Sequence, residues 1–225
     1  ALAVEDNILF GQFAKPFEEA GFFFADRLGP QRGREEFFMS RLIGKTPLLG
    51  KAFEGTERAF VTAGNKMRHT AGAAVVRNWL PKELREQPFE TLEDLIAATG
   101  KTRDDFTQLA AFWNRATGRG TLPGPIDPAS PALNAFFYAA RYALSPYQLT
   151  WQLVNPKTTP AVRREALESM IKFVGVNLMV LKAGEAAGFW DVEWDPRSTD
   201  FARAKFGENV RMDFWGPWHP IAVML

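Results

Sequence analysis

The stretch Thr91–Gly118, TLEDLIAATGKTRDDFTQLAAFWNRATG, carries its own helix punctuation. Thr91 stands three residues before Asp94, and Thr102 three before Asp105. Each pair fits the capping-box pattern, in which a hydroxyl and a carboxylate satisfy amides that the first helical turn leaves bare. Gly100 and Gly118 stand where a left-handed residue ends a helix. The reading is two short helices, near 91–99 and 103–117. Further on, Ser130-Pro131, Ser145-Pro146 and Thr159-Pro160 each set a capping residue before a proline at a first helical position. They predict helices near 131–144, 146–154 and 160–187.

Upstream of this stretch, Thr56 to Trp79 reads as one long helix with Ala59, Phe60, Ala63, Met67 and Ala71 on its apolar face. Gly64 and Gly72 suit close packing there. Earlier still, segments near 6–27 and 33–43 hold Phe22-Phe23-Phe24 and Phe37-Phe38-Met39 at mixed spacing. Downstream, Ile171–Leu181 is apolar on nearly all sides and bracketed by Lys172 and Lys182. It is too short for a bilayer span of about 20 apolar residues, so a central buried helix is expected, with membrane contact as the minor alternative. After Phe189 charged and aromatic residues alternate. Ala204–Phe206 and Val210–Phe214, joined by Gly207-Glu208-Asn209, predict a small hairpin.

The fold class expected is mainly α, an irregular multi-helix bundle with a small C-terminal β-hairpin. Three parts are expected: an N-terminal helical segment over 1–54, a helical core over 55–188 and an extended segment over 189–225. Gly118–Ser130 and Pro81–Pro88 are the linker candidates. Both ends, Ala1-Leu2-Ala3-Val4 and the apolar Ile221–Leu225, read as cuts through a longer polypeptide.

Composition narrows the function. The net charge of +1 makes no electrostatic case for nucleic acid as main partner. With no cysteine, thiolate catalysis and Cys-based zinc sites are excluded. The 20 Phe and 7 Trp, against 3 Tyr, promise a bulky apolar core or an aromatic contact surface. His69 and His219 lie outside any hydrolase or zincin pattern and are expected to be structural. Thr117-Gly118-Arg119-Gly120-Thr121 reads as a helix end rather than an anion loop, because Pro123 and Pro125 follow. Asp191, Glu193 and Asp195 alternate and Asp200 follows, which makes them candidates for Mg²⁺ or Ca²⁺; solvated carboxylates paired with Arg197 and Arg203 are the simpler reading. Arg58, Lys66, Arg68 and Arg77 along the long helix are candidate nucleic-acid contacts. Trp215 and Trp218, on a Gly/Pro turn, are either a packed corner or an anchor for a partner.

Three segments together resemble one family. They are Glu57-Arg58-Ala59-Phe60 with Asn65-Lys66-Met67-Arg68; Thr117-Gly118-Arg119-Gly120 with Leu133-Asn134-Ala135-Phe136-Phe137; and Asp195–Phe201 with Gly207–Gly216. From about Gly55 onward the chain resembles the large polyvalent protein-associated domains of tailed bacteriophages. It departs from their pattern at Ala202-Arg203, where glycine-lysine is expected, and at Thr70-Ala71-Gly72, where an aromatic-acidic stretch is expected. The resemblance implies a module near the C-terminal end of a very long phage polypeptide, packaged in the virion and delivered into the host with the DNA. It also implies a non-catalytic structural role without a cofactor. The partners it implies are other modules of that polypeptide, other virion proteins and further copies of the chain. Trp215, Trp218, Arg197, Asp200 and Arg211 are the interaction candidates. The alternatives are an accessory domain of a phage enzyme with a carboxylate metal site, or a DNA-contacting module.

Overall fold

The structure, a computed structural model, describes residues 11–22, 47–121 and 140–219, and of residues 47–62, 140, 141 and 217 the backbone only. Among the described residues it is mainly helical, with six α-helices and a small antiparallel sheet near the C-terminus. The expected hairpin is there, and it gains a third strand. Contacts group the chain into two units, residues 1–162 and 163–225.

The first unit holds α1 (Ala14–Glu19), α2 (Pro47–Trp79), α3 (Leu92–Thr99), α4 (Arg103–Ala116) and α5 (Ala140–Val154). Phe13 and Phe17 are fully buried, and the Phe17 ring stacks on Phe22 at 4.3 Å. Gly72 of α2 makes room for them: a Cβ there would stand 2.8 Å from the Phe22 ring and 3.1 Å from Phe17. One long-range bond and one local bond fix the start of α3. The Leu92 amide donates to the Glu19 carboxylate at 2.8 Å, and the Asp94 amide to the Thr91 hydroxyl at 3.2 Å. The box at α4 is complete. The Thr102 amide donates to Asp105 at 2.9 Å and the Asp105 amide to the Thr102 hydroxyl at 3.2 Å. At α3 it is half-formed, since the Asp94 carboxylate accepts from the Thr91 hydroxyl instead of its amide. Gly100 ends α3 at φ +65°.

Three expectations are corrected here. First, α2 begins at Pro47, ahead of Thr56. Of its expected face, Met67 and Ala63 are exposed, while Asn65, Arg68, Gly72, Val75 and Val76 are buried. The buried stripe is partly polar, so hydrophobicity alone picks the wrong side. Secondly, α5 runs through Pro146 without a break. A proline there cannot donate to the carbonyl of residue 142, but the neighbouring Ser145 hydroxyl donates to that Tyr142 carbonyl at 2.8 Å. The substitute bond removes the reason to stop. Of the expected helix 131–144, residues 131–139 lie outside the described residues, as do 6–10, 23–27 and 33–43.

The third correction falls in the second unit. Its helix is the larger part of α6 (Pro160–Ala186), which starts at the expected proline. Beside it lie β1 (Asp191–Val192), β2 (Ala204–Phe206) and β3 (Val210–Met212), in the order β1-β2-β3. Val192 pairs with Ala204, and Ala204 with Met212. The core joins Leu181, Val192, Ala202, Ala204 and Trp215, flanked by Phe173, Trp190, Phe206 and Phe214. Trp190 lies against Gly184, leaving no space for a Cβ, and its indole donates to the Leu181 carbonyl at 3.1 Å. A sheet of such short strands covers one face of a helix and no more. Ile171–Leu181 is therefore not buried all round: Ile171 is 63% exposed and Met179 69%.

Two tests follow from the packing. Gly72→Ala should lower stability by about 1–2 kcal/mol in urea titration, the crowding of Phe17 and Phe22 outweighing a helix-propensity gain of about 1 kcal/mol. Asp105 supplies the second. Burial disfavours its charge, but polar groups of Thr159 and Thr102 at its carboxylate, with Lys101 nearby, hold it below the ordinary aspartate value. A depressed carboxylate stabilises the fold above its unfolded pKa, and that stabilisation is lost as pH falls through the folded value. Asp105→Asn should cost about 1 kcal/mol at neutral pH. The difference from wild type should shrink as pH drops below the ordinary aspartate range.

Candidate functional site

The segment 191–219 holds most of the candidate residues. It begins with β1, then turns at Pro196. Asp195 closes the turn by accepting from the Arg197 amide at 3.0 Å and from its guanidinium at 3.1 Å. The Ser198 hydroxyl accepts from the Asp200 amide at 3.2 Å. Four residues beyond Asp200 the chain returns to β2, passing through Ala202 at φ +56°. The Ala202 amide donates to the Glu193 carbonyl at 2.7 Å.

Asp200 sits between two guanidiniums. It accepts from Arg203 at 3.1 Å and from Arg211 of β3 at 3.2 Å. The Arg211 bond above all, with Arg203 adding to it, holds the carboxyl below its usual range against a smaller opposing effect of burial. Arg203 also leans on His219 Nδ1 at 3.4 Å, and His219 Nε2 meets the Phe201 carbonyl at 2.9 Å. Since that carbonyl only accepts, Nε2 carries the proton and Nδ1 receives the guanidinium N–H. Glu193 pairs with Lys205 at 2.6 Å, which holds its carboxyl low. Asp191 lies exposed on β1.

Each carboxylate is thus turned to its own cation or to solvent. The extended strand ends at Val192, and beyond it Glu193 pairs with Lys205 while Asp195 pairs with Arg197. Among the described residues no group of three or more His, Asp or Glu is placed to hold a metal ion.

The aromatic turn is a packed corner. Trp215 is 6% exposed, and its indole donates to the Ala202 carbonyl at 3.0 Å. The Asp213 carboxylate accepts from the Trp215 amide at 2.8 Å and from that of Gly216 at 3.2 Å. Trp218 packs against Phe173 at 5.8 Å. The Trp215 indole is enclosed, and that of Trp218 is half-buried.

Among the described side chains, the basic candidates on α2 do not form an outward row. Arg58 lies on the helix, but its side chain is outside the described residues. Lys66 is exposed. Arg68 is 2% exposed and donates to Thr117 and Asn65 at 2.8 and 3.1 Å. Arg77 donates to Gln12 at 3.1 Å and lies 5.7 Å over the Phe13 ring. Burial, and then the Arg77 charge, holds His69 below its usual value and so favours its neutral form. Thr117–Gly118 ends α4, with Gly118 at φ +83° and the Arg119 amide returned to the Asn114 carbonyl at 2.9 Å. No helix among the described residues is long and apolar enough to cross a membrane.

Compared with protein families, with curated proteins and with solved structures, the chain gives no match.

Two features of the site escape sequence reading. The left-handed Ala202 has no local signal, because alanine is not a turn residue. The bond from Trp194 to Glu185 at 3.2 Å joins residues on different elements. The Arg203 pairing, by contrast, is legible from its place three residues after Asp200.

Ala202 generates a prediction. A left-handed non-glycine residue costs about 1 kcal/mol, close to the value of one buried methyl group. Ala202→Gly should leave the urea midpoint nearly unchanged. Ala202→Val, β-branched at positive φ, should lower it by about 2 kcal/mol or more.

Proposed function

We propose that this chain is a non-catalytic structural and interaction module of a large phage virion-associated protein, one delivered into the host with the DNA. Its partners are other modules of the parent polypeptide and other virion proteins.

The observation that carries the reading is the backbone at Ala202. The phage pattern carries glycine at this place, and the left-handed φ of +56° is the conformation that favours glycine. The other residues of the same segment serve this corner. Asp195 closes the turn, Asp200 clamps Arg211, Asp213 caps the final turn, and Trp215 reaches back to the Ala202 carbonyl. A motif whose polar groups are spent on each other supports a fold-holding purpose rather than a reaction. The same bonds disfavour the enzyme alternative, which needs the carboxylates free for a cation. The buried Arg68 and the internally bonded Arg77 disfavour the DNA-contacting alternative.

An antibody raised against the 225-residue chain tests the proposal directly. Blotted on density-purified phage particles from the producing host, it should mark a polypeptide far larger than 25.2 kDa. The same label should appear inside host cells soon after infection. A protein that stays in the lysate and never bands with particles overturns the reading. So does a divalent-metal-dependent activity abolished by Asp195→Ala and Asp200→Ala.

A further inference from the structure

Residues 13–22 lie on the first unit as a strap. Six of them form α1, too few for a helix to persist alone in water. Docking fixes them instead. Phe13 and Phe17 are fully buried, and Phe22 is 4% exposed. The polar ties around them reach far along the sequence. The Gln12 side chain donates to the Arg85 carbonyl at 2.6 Å, Asn114 donates to the Gly21 carbonyl at 2.9 Å, and Lys15 pairs with Glu90 at 2.9 Å. A piece held by distant partners can open as a unit of its own while α2 and α4 stay formed.

His69 stands under this strap. It precedes Gly72 by three residues, so both lie on the side of α2 that receives Phe17. The imidazole is 5.6 Å from the Phe17 ring and tilted to it by 56°. Its Nε2 is buried.

We infer that residues 13–22 form an acid-released strap, docked on α2 while His69 is neutral and freed when the imidazole gains a proton. The device goes beyond the proposed function and does not depend on it. Once released, the strap presents Phe13, Phe17 and Phe22 to other surfaces.

The surroundings of His69 suit the neutral ring. An imidazolium has an N–H on both nitrogens, and burial keeps water from Nε2. The charged groups on the neighbouring elements do not favour a second cation. On α2, Arg77 donates to Gln12 at 3.1 Å and lies over the Phe13 ring, while Arg68 is bonded to Thr117 and Asn65. On α1, Lys15 is paired with Glu90, Glu19 accepts from the Leu92 amide, and Glu18 is exposed. On α4, Arg115 donates to Gln152 at 2.9 Å, and Asp104 and Asp105 stand in its first turn, more than two turns before Asn114. Among the described residues it is burial first, and the Arg77 charge second, that hold His69 below the ordinary histidine value. A docked value below the free one makes docking fully stable above the ordinary histidine range. As pH falls below that range, the docked-to-free ratio drops by up to about tenfold per pH unit, until the docked value is passed.

Hydrogen exchange of the whole chain is the test, read by mass spectrometry on residues 11–22 and scaled to an unstructured reference at each pH. The Phe17, Ala20 and Phe22 amides donate to the Phe13, Pro16 and Phe17 carbonyls. Their protection should fall by up to about tenfold per unit as pH goes from about 7 to about 5, while α4 keeps its own. His69→Gln, neutral throughout, should remove that fall with Lys15, Glu18, Glu19 and Glu90 still in place. A reciprocal arm follows the imidazole protons by NMR. Phe17→Ala should raise the titration midpoint of His69 toward the ordinary value, with His219, the other histidine of the chain, as internal reference. This arm decides the matter if His69→Gln fails to fold.

Protection at 11–22 that is constant over this range overturns the inference, as does an equal fall in His69→Gln. A parallel loss in α4 overturns it too, since the whole unit is then unfolding in acid. So does a His69 midpoint that Phe17→Ala leaves unmoved. None of these outcomes touches the virion reading, which the antibody experiment tests separately.

Discussion

Main-chain groups that regular structure leaves bare must find side-chain partners, and both units are organised around meeting that demand. A buried carbonyl or amide without a partner costs about 1–3 kcal/mol. In the first unit Glu19 receives the first amide of α3, Gln108 receives the Thr159 amide, and Ser145 serves the carbonyl that Pro146 cannot. In the second, three side chains reach three carbonyls: Trp190 to Leu181, Trp215 to Ala202 and His219 to Phe201. The aromatic side chains are thus fixed at both ends of their chemistry, rings in the core and N–H groups on backbone oxygens. A phenylalanine at Trp215 would keep most of the apolar area and lose the tie.

This explains which parts of the fold are legible in the sequence. Capping is local, so Thr91, Thr102, Gly100 and Pro160 announce their helix ends. The turn Gly207-Glu208-Asn209 does the same for its hairpin. What fails is any inference that needs a partner distant in sequence. Pro146 reads as a helix start because its compensation depends on a hydroxyl rotamer. The buried stripe of α2 is misread because Asn65 and Arg68 are buried through bonds to other polar groups, including Thr117 forty-nine residues away. The apolar run of α6 reads as central because composition does not tell how little sheet there is to cover it.

The candidate site shows the same division. Residue types at 191–200 suggest a metal cluster, yet types alone leave open where neighbouring cations fall. The strand register brings Lys205 beside Asp191 and Arg211, next to Glu193 and Asp200. Once the strands pair, acids and bases neutralise one another in place. A chain with 27 basic and 26 acidic residues then behaves locally as it does in sum.

The register of the sheet also bears on how the chain comes together in time. Its widest strand pair among the described residues, Asp191 with Lys205, closes a loop of about 14 residues, whereas the bond from Glu19 to Leu92 spans 73. Loop-closure entropy makes the longer contact costlier by about 1.5 kcal/mol before any packing rewards it. Low contact order is the regime of rapid folding. The corner at Ala202 and its sheet are therefore built for early, nearly autonomous assembly, while the Phe-rich packing around α1 waits on a distant part of the chain.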